Sequence, residues 1–219
     1  MAQSKPVLYS YFRSSCARRV RIALVHKGIE FEYKAVNLYN GDHKMEDFLK
    51  LNPCGNVPVL KDKGNTIVSS PAILEYLEET VPNPPLLPED PASRAKVREI
   101  VDGIVSGIQP HLNMRVMKYV GENYNSKPKS WAKHWVESGF GSIERILKES
   151  YGMYCVGDAV TLADACLVPQ VFNAHMFKVD MAPFPIINEI CSRLNELKAF
   201  KDTHPFIQPD CPEDLRIPK

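Results

Sequence analysis

The sequence predicts two unlike units: an α/β unit of βαβ-ββα order over residues 1–80 and an all-helical unit over residues 92–219. Three observations predict this. Short strand-like runs alternate with helical periodicity up to residue 80. Five prolines punctuate residues 81–91. Beyond residue 92 the apolar spacing is helical as far as about residue 200.

Val7-Leu8-Tyr9-Ser10-Tyr11 reads as the first strand. Ser14 and Ser15 follow it and are good N-cap residues. A helix runs from there to about Lys27, where Gly28 supplies a stop. Its apolar face is Ala17, Val20, Ala23 and Leu24. Residues 31–36 read as a second strand, which completes a βαβ unit with parallel pairing and a right-handed crossover. A polar loop with a short helix over 46–51 comes next. Val57-Pro58-Val59-Leu60 and Thr66-Ile67-Val68 then flank a Lys63-Gly64-Asn65 turn, a hairpin signal. A proline that begins a strand belongs at an edge or at the first position. Ser70 before Pro71 marks a helix start with proline at the first helical position, and a helix over 72–79 closes the unit. This order is that of a thioredoxin-like fold.

Residues 81–91 read as a stiff proline-rich linker. In the second unit, Val97, Ile100, Val101, Ile104, Val105, Ile108 and Leu112 recur at helical spacing, which predicts one long amphipathic helix. Further helices are predicted at about 131–149, 162–177 and 186–200, with Thr161 and Asp164 forming a capping box. The tail from Thr203 to Lys219 is rich in proline and charge and reads as extended over the surface.

Composition excludes several classes of function. Apolar residues make up 44% and charged residues 24% of 219, a globular balance. Lys+Arg 27 against Asp+Glu 26 lacks the basic excess of a nucleic-acid binder. No apolar run approaches the roughly 20 residues that span a membrane. Met1 to Pro6 lacks a signal-peptide core, which predicts a cytoplasmic protein. The six cysteines form no CxxC pair, no His–Cys cluster has metal-ligand spacing, and reduced thiols are expected. No GxGxxG, P-loop, HExxH or GxSxG motif occurs.

Three segments remain as candidates for chemistry. Ser14-Ser15-Cys16 lies between a strand and a helix N-terminus, where free N–H groups and the helix dipole favour an anion. A hydroxyl there can donate to a bound thiolate. That hydrogen bond is worth about 1.5–3 kcal/mol and the dipole about 0.5–1 kcal/mol. Together they would bring a thiol pKa of about 8.5 down by about 1.5 to 3, leaving the thiol substantially ionised at neutral pH. Plain helix capping and a redox role for Cys16 are the alternatives. Val57-Pro58 is the second candidate. In a thioredoxin-like fold a proline here is often cis and turns the Val57 backbone toward an extended peptide; an ordinary edge proline is the alternative. Ser69-Ser70 is the third, a capped helix N-terminus at the same sheet end, suited to a carboxylate or to capping alone. Arg13, Arg18, Arg19 and Arg21 could bind an acidic ligand, but read rather as a solvated helix face, with Arg13, ahead of the helix, placed to point into the site.

Ser14-Ser15-Cys16-Ala17-Arg18-Arg19-Val20-Arg21-Ile22-Ala23-Leu24 resembles the signature of zeta-class glutathione transferases, the maleylacetoacetate isomerase family. Leu8 to Arg13, Glu75 to Thr80, Gly107-Ile108-Gln109-Pro110, Tyr154 to Asp158, Leu167 to Gln170 and Phe177 to Asp180 extend the resemblance over nearly the whole chain. It implies the glutathione transferase fold and a cytosolic homodimer with glutathione as cofactor. It also implies two reactions on small electrophiles: glutathione-dependent cis–trans isomerisation in tyrosine breakdown, and conjugation or dehalogenation of small α-halo acids. It implies that Ser14 stabilises the thiolate with Ser15 and Cys16 beside it, that Val57 pairs with the glutathione backbone ahead of Pro58, and that Ser70 binds the γ-glutamyl carboxylate. Gln109 and Asn113, on the long helix, would contact glutathione or substrate, and Lys44 falls near a family glutamine.

Three positions depart from the family pattern. Arg18 stands where tryptophan is usual, and Ser69 replaces a glutamine or glutamate. Met176 replaces an arginine that faces the substrate carboxylate. Loss of one charge-assisted bond of about 1.5–3 kcal/mol would cost about 10- to 100-fold in rate if it acts at the transition state. Arg115 or His175 are the candidates to compensate. The expectation is a zeta-type transferase with weakened isomerase activity and a preference for more hydrophobic electrophiles.

Overall fold

The computed structural model describes residues 5–124 and 127–218; the first four residues, on which part of the leader reading rests, and Lys219 of the tail lie outside them. The chain divides into two compact units, one running up to Pro85 and joined by Leu197 onward, the other running from Leu86 to Glu196.

The first unit is a four-stranded sheet in the order β2-β1-β3-β4. Strand β1 (Val7–Ser10) pairs parallel with β2 (Glu32–Ala35) and antiparallel with β3 (Val59–Asp62), which pairs antiparallel with β4 (Asn65–Val68). The β3–β4 turn is made by Lys63 and Gly64, both at positive φ (49° and 81°). That is the two-residue hairpin geometry that follows the strand twist, and it suits glycine at the second position. Helix α1 (Ser15–His26) connects β1 to β2, and α2 (Glu46–Leu51) and α3 (Ser70–Thr80) follow β2 and β4. Period two sorts β1: Leu8 and Ser10 are buried on the face that α1 covers, where Arg21 reaches the Ser10 hydroxyl. Tyr9 points the other way, edge-on to Phe48 of α2 at 6.2 Å.

The α1 face read as solvated is buried. Arg18, Arg19 and Arg21 are 2%, 0% and 0% exposed, whereas Arg13 is exposed. Arg18 and Arg21 donate to protein oxygens. Arg21 donates to Ser10 Oγ (2.9 Å) and to the carbonyls of Tyr11 (3.2 Å) and Phe12 (3.1 Å). Arg18 donates to the Phe200 carbonyl at 3.3 Å. At the far end of the helix, Lys27 is buried on Glu78 (2.7 Å) and on the carbonyls of Val81 and Pro84.

The tail differs from the extended surface segment expected. Residues from Leu197 onward pack with the first unit, as the short helix Lys198–Lys201 and two further 3-10 turns with Thr203, Pro205, Gln208 and Cys211 buried. Asp210 fastens it: one carboxylate oxygen accepts the Phe12 N–H (2.9 Å) and the other the Tyr33 hydroxyl (2.6 Å). Arg216 folds the last turn back onto the carbonyls of Pro209 and Cys211. The helical unit expected to run through residue 219 gives up this segment to the first unit.

The second unit contains α4 (Pro91–Val105), α5 (Met114–Asn123), α6 (Pro128–Ser150), α7 (Leu162–Met176) and α8 (Pro185–Glu196). The long helix expected through Leu112 stops at Val105 and gives way to a 3-10 turn at Gln109–Leu112. Pro110 explains the stop: its ring would clash with the Ser106 carbonyl and it has no N–H to donate. Asn113 then caps α5, a helix not expected from the sequence, by accepting the Arg115 N–H at 2.9 Å. The capping box holds: Asp164 is fully buried and accepts from the Thr161 N–H, the Thr161 hydroxyl and the Cys155 N–H. All six cysteines are free thiols.

Candidate functional site

Strand directions bring the predicted segments of the first unit together. Tyr9 lies opposite Val59, and Val59 opposite Val68. The C-terminal ends of β1 and β4 and the N-terminal end of β3 therefore meet at one edge of the sheet. β2 runs parallel to β1 and ends there too. Ser14, Val57 and Ser70 all emerge at this edge, with the N-termini of α1 and α3. Lys44 leaves it by the loop after β2, exposed in a 3-10 turn at Asp42–Lys44.

Ser14 is the α1 N-cap. Its Oγ accepts the Ala17 N–H at 3.2 Å, which leaves its own proton free to donate outward. Its backbone N–H is tied to the Tyr11 carbonyl at 3.0 Å. Ser15 and Cys16 form the first helical residues and are half-buried. Neither α1 nor α3 carries an acidic residue in its first turn. Both positive helix ends are thus left for an external anion.

The Val57–Pro58 peptide bond is cis. Val57 lies past the end of the β1–β3 ladder, which stops at Tyr9 opposite Val59, so the ladder does not claim its backbone groups. A strand-like peptide can pair there.

The α3 start differs from expectation by one residue. Ser69, not Ser70, is the cap; Ser70 is the first helical residue and Pro71 the second. Ser69 sits at φ 74°, ψ 123°, a conformation costly for a residue with a Cβ, and its side chain makes no capping bond. Ser70 is 3% exposed, and its Oγ accepts from Arg19 Nη1 at 3.2 Å.

The remaining candidates belong to the second unit. Gln109 is half-buried in the 3-10 turn, Asn113 caps α5, and Arg115 is exposed on α5's first turn. His175 and Met176 end α7, both exposed, Met176 at 44%. Gln109 and Asn113 therefore reach their places from a turn and a cap, not from a long helix.

Sequence reasoning missed Arg19, Arg21 and Asp210. Arg21 and Asp210 grip the Tyr11–Phe12 backbone from two sides, two residues ahead of Ser14. Burial lowers the Arg21 pKa to about 10, so it remains a cation at neutral pH. Burial also pushes the Tyr33 phenol well above its ordinary value, keeping it a donor to Asp210. One signal was available: no acidic residue lies three or four positions from Arg18, Arg19 or Arg21, as a solvated helix face would favour.

Among the described residues no group of His, Cys, Asp and Glu side chains could hold a metal ion, and no described helix is long and apolar enough to cross a membrane.

Comparison with known proteins fits this geometry. Residues 5–79 match the family Glutathione S-transferase, N-terminal domain. The maleylacetoacetate isomerase of Mus musculus is 53% identical over 218 residues, covering 99% of this chain and 100% of that protein. Among solved structures, the holo form of a bacterial maleyl pyruvate isomerase, a glutathione S-transferase in the zeta class, superposes with TM-score 0.91 at 38% identity over 94% of this chain and 100% of that one. The maleylacetoacetate isomerase of Anaeromyxobacter dehalogenans 2CP-1, with glutathione bound in its active site, gives TM-score 0.88 at 40% identity over 96% and 100%.

Proposed function

Because this chain belongs to the zeta class of glutathione S-transferases, the family of the maleylacetoacetate isomerases, we propose that it is a glutathione-dependent enzyme that activates the thiol at Ser14 for attack on small electrophiles. The observation that carries this reading is the Ser14 hydroxyl, whose free proton sits at the unneutralised N-terminus of α1. Glutathione, when bound, would supply a thiolate nucleophile, which in conjugation would displace a leaving group such as halide and in isomerisation would add to the conjugated double bond and be expelled again after rotation.

The residues of the chain bind and orient. Ser14 donates to the thiolate and so favours the charged form. Ser15 and Cys16 present their backbone at the first helical turn. Val57, ahead of Pro58, pairs with the glutathione backbone, and Ser70 with Ser69 takes the γ-glutamyl carboxylate. On the family resemblance, Lys44 would add a contact to glutathione, and Gln109 and Asn113 would contact glutathione or substrate. Arg13, Arg115, His175 and Met176 face the electrophile. The enzyme is a cytoplasmic homodimer, on the strength of the family.

Met176 sets the substrate preference. An exposed thioether at the end of α7 offers an electrophile apolar surface and no charge-assisted hydrogen bond. We therefore favour detoxifying conjugation as the main activity, with maleylacetoacetate isomerisation in tyrosine catabolism as the second reading, which the 53% identity to an isomerase favours. Glutathione-dependent isomerisation of maleylacetone, run beside conjugation of a neutral chlorinated aromatic, decides between them. Poor isomerisation rescued by Met176→Arg supports conjugation. Efficient isomerisation by the unmodified enzyme establishes the second reading.

A further inference from the structure

Arg19 differs from the other two buried arginines of α1. Arg21 has three oxygen acceptors. Arg19 is equally buried, at 0% exposure, yet its single hydrogen bond among the described residues is the one from Nη1 to Ser70 Oγ. Its Nε and Nη2 have no partner, and no described carboxylate lies within ion-pair distance of it. A buried guanidinium without an anion is costly, because water has been removed and nothing negative replaces it. Folding alone gives no reason for the charge to be there.

Its position supplies one. The guanidinium abuts the first residue of α3, whose first turn contains no acidic residue. By donating to Ser70 Oγ it occupies a lone pair of that oxygen and leaves the hydroxyl proton free to point outward. Three features that favour an anion thus meet at one place: a positive charge inside the protein, a hydroxyl bonded to it, and a positive helix end.

We propose that Arg19 is a positioning residue that acts through Ser70: its buried charge waits for the carboxylate of the γ-glutamyl group as its missing counter-ion. The proposal rests on the reading of Ser70 given above. It places the affinity for the ligand's carboxylate in a residue that never touches the ligand. It also makes the empty protein less stable than it could be, a trade of stability for binding.

The test uses the full-length protein, titration calorimetry and thermal melting. Two ligands are compared: glutathione and γ-aminobutyryl-cysteinylglycine, which is glutathione without that carboxylate. The unmodified protein should prefer glutathione by at least about tenfold. Arg19→Met should lose about tenfold in glutathione affinity and less than about twofold for the analogue. With no ligand, it should melt no lower than the unmodified protein. Arg19→Lys, which keeps the charge, should retain most of the preference. If the unmodified protein does not distinguish the two ligands, the Ser70 reading itself fails. If it does, but Arg19→Met weakens both ligands equally, melts lower or does not fold, Arg19 is a structural residue and the proposal is overturned. It is overturned equally if Arg19→Lys loses the preference as fully as Arg19→Met.

Discussion

Replacing Asp210 with alanine tests whether the C-terminal tail holds the loop that carries Ser14. Asp210 accepts the Phe12 N–H at 2.9 Å and the Tyr33 hydroxyl at 2.6 Å. Hydrogen bonds to a charged group contribute about 1.5–3 kcal/mol each. Asp210 is only half-buried, so the lower figure applies to each, about 3 kcal/mol in all. Alanine also removes a negative charge near the buried Arg21, whose pKa Asp210 helps to raise. For a chain of this size each kcal/mol moves the melting temperature by about 2–4 °C, so Asp210→Ala should melt about 6–12 °C lower. Asp210→Asn, whose amide oxygen keeps one acceptor, should fall about half as far. Thermal melting followed by circular dichroism measures both. The reasoning is refuted if Asp210→Ala melts within about 1 °C of the unmodified protein, or if the asparagine variant is the less stable of the two.

Two other perturbations follow from buried charges and from titration. Glu78→Ala would strand the fully buried Lys27 ammonium beside the carbonyls of Val81 and Pro84, at a cost of about 3–5 kcal/mol; chemical denaturation measures it, and Glu78→Gln should cost less. Burial, reinforced by the positive charge of Arg18, lowers the His204 pKa to about 4, and its neutral Nδ1 accepts the Phe206 N–H at 3.2 Å. The unfolded chain protonates near the ordinary value of about 6.5, so between pH 6.5 and about 4 the unfolded state binds more protons. Stability should therefore fall as the pH is lowered from about 6.5 to about 4. His204→Asn, which keeps an acceptor but does not titrate, should flatten the decline in melts at stepped pH.

The backbone plan of the first unit was legible because its signals are local. Alternation in Val7 to Tyr11, the Lys63-Gly64 turn and the serines before each helix all act within a few residues. The edge that gathers Ser14, Val57 and Ser70 follows from strand order alone. What escaped the sequence depends on contacts between distant segments. The apolar spacing of α1 continues past three arginines; distant oxygens accept from two of them, those of Ser10, Tyr11 and Phe12 from Arg21 and the Phe200 carbonyl from Arg18, and Arg19 reaches Ser70 across 51 positions. Asp210 meets Phe12 across 198 positions, a separation no local pattern encodes. The helix break before Gln109 was readable in Pro110, but seven regularly spaced apolar residues outweighed it. The hydrophobic face does continue beyond Val105, since Ile108 and Leu112 are buried; it is carried there by a turn instead of a helix.

The central claim is that Ser14 holds glutathione as the thiolate, and the most direct measurement is the pKa of the bound thiol. Titrating the ultraviolet absorbance of the thiolate in the complex gives it for the unmodified protein, Ser14→Ala and Cys16→Ser. A free thiol ionises near about 8.5. The bound thiol should ionise below about 7 in the unmodified complex, at least about one pH unit higher in Ser14→Ala, and at nearly the same value in Cys16→Ser. An unchanged pKa in Ser14→Ala, with the shift lost in Cys16→Ser instead, would contradict it and move the chemistry to Cys16.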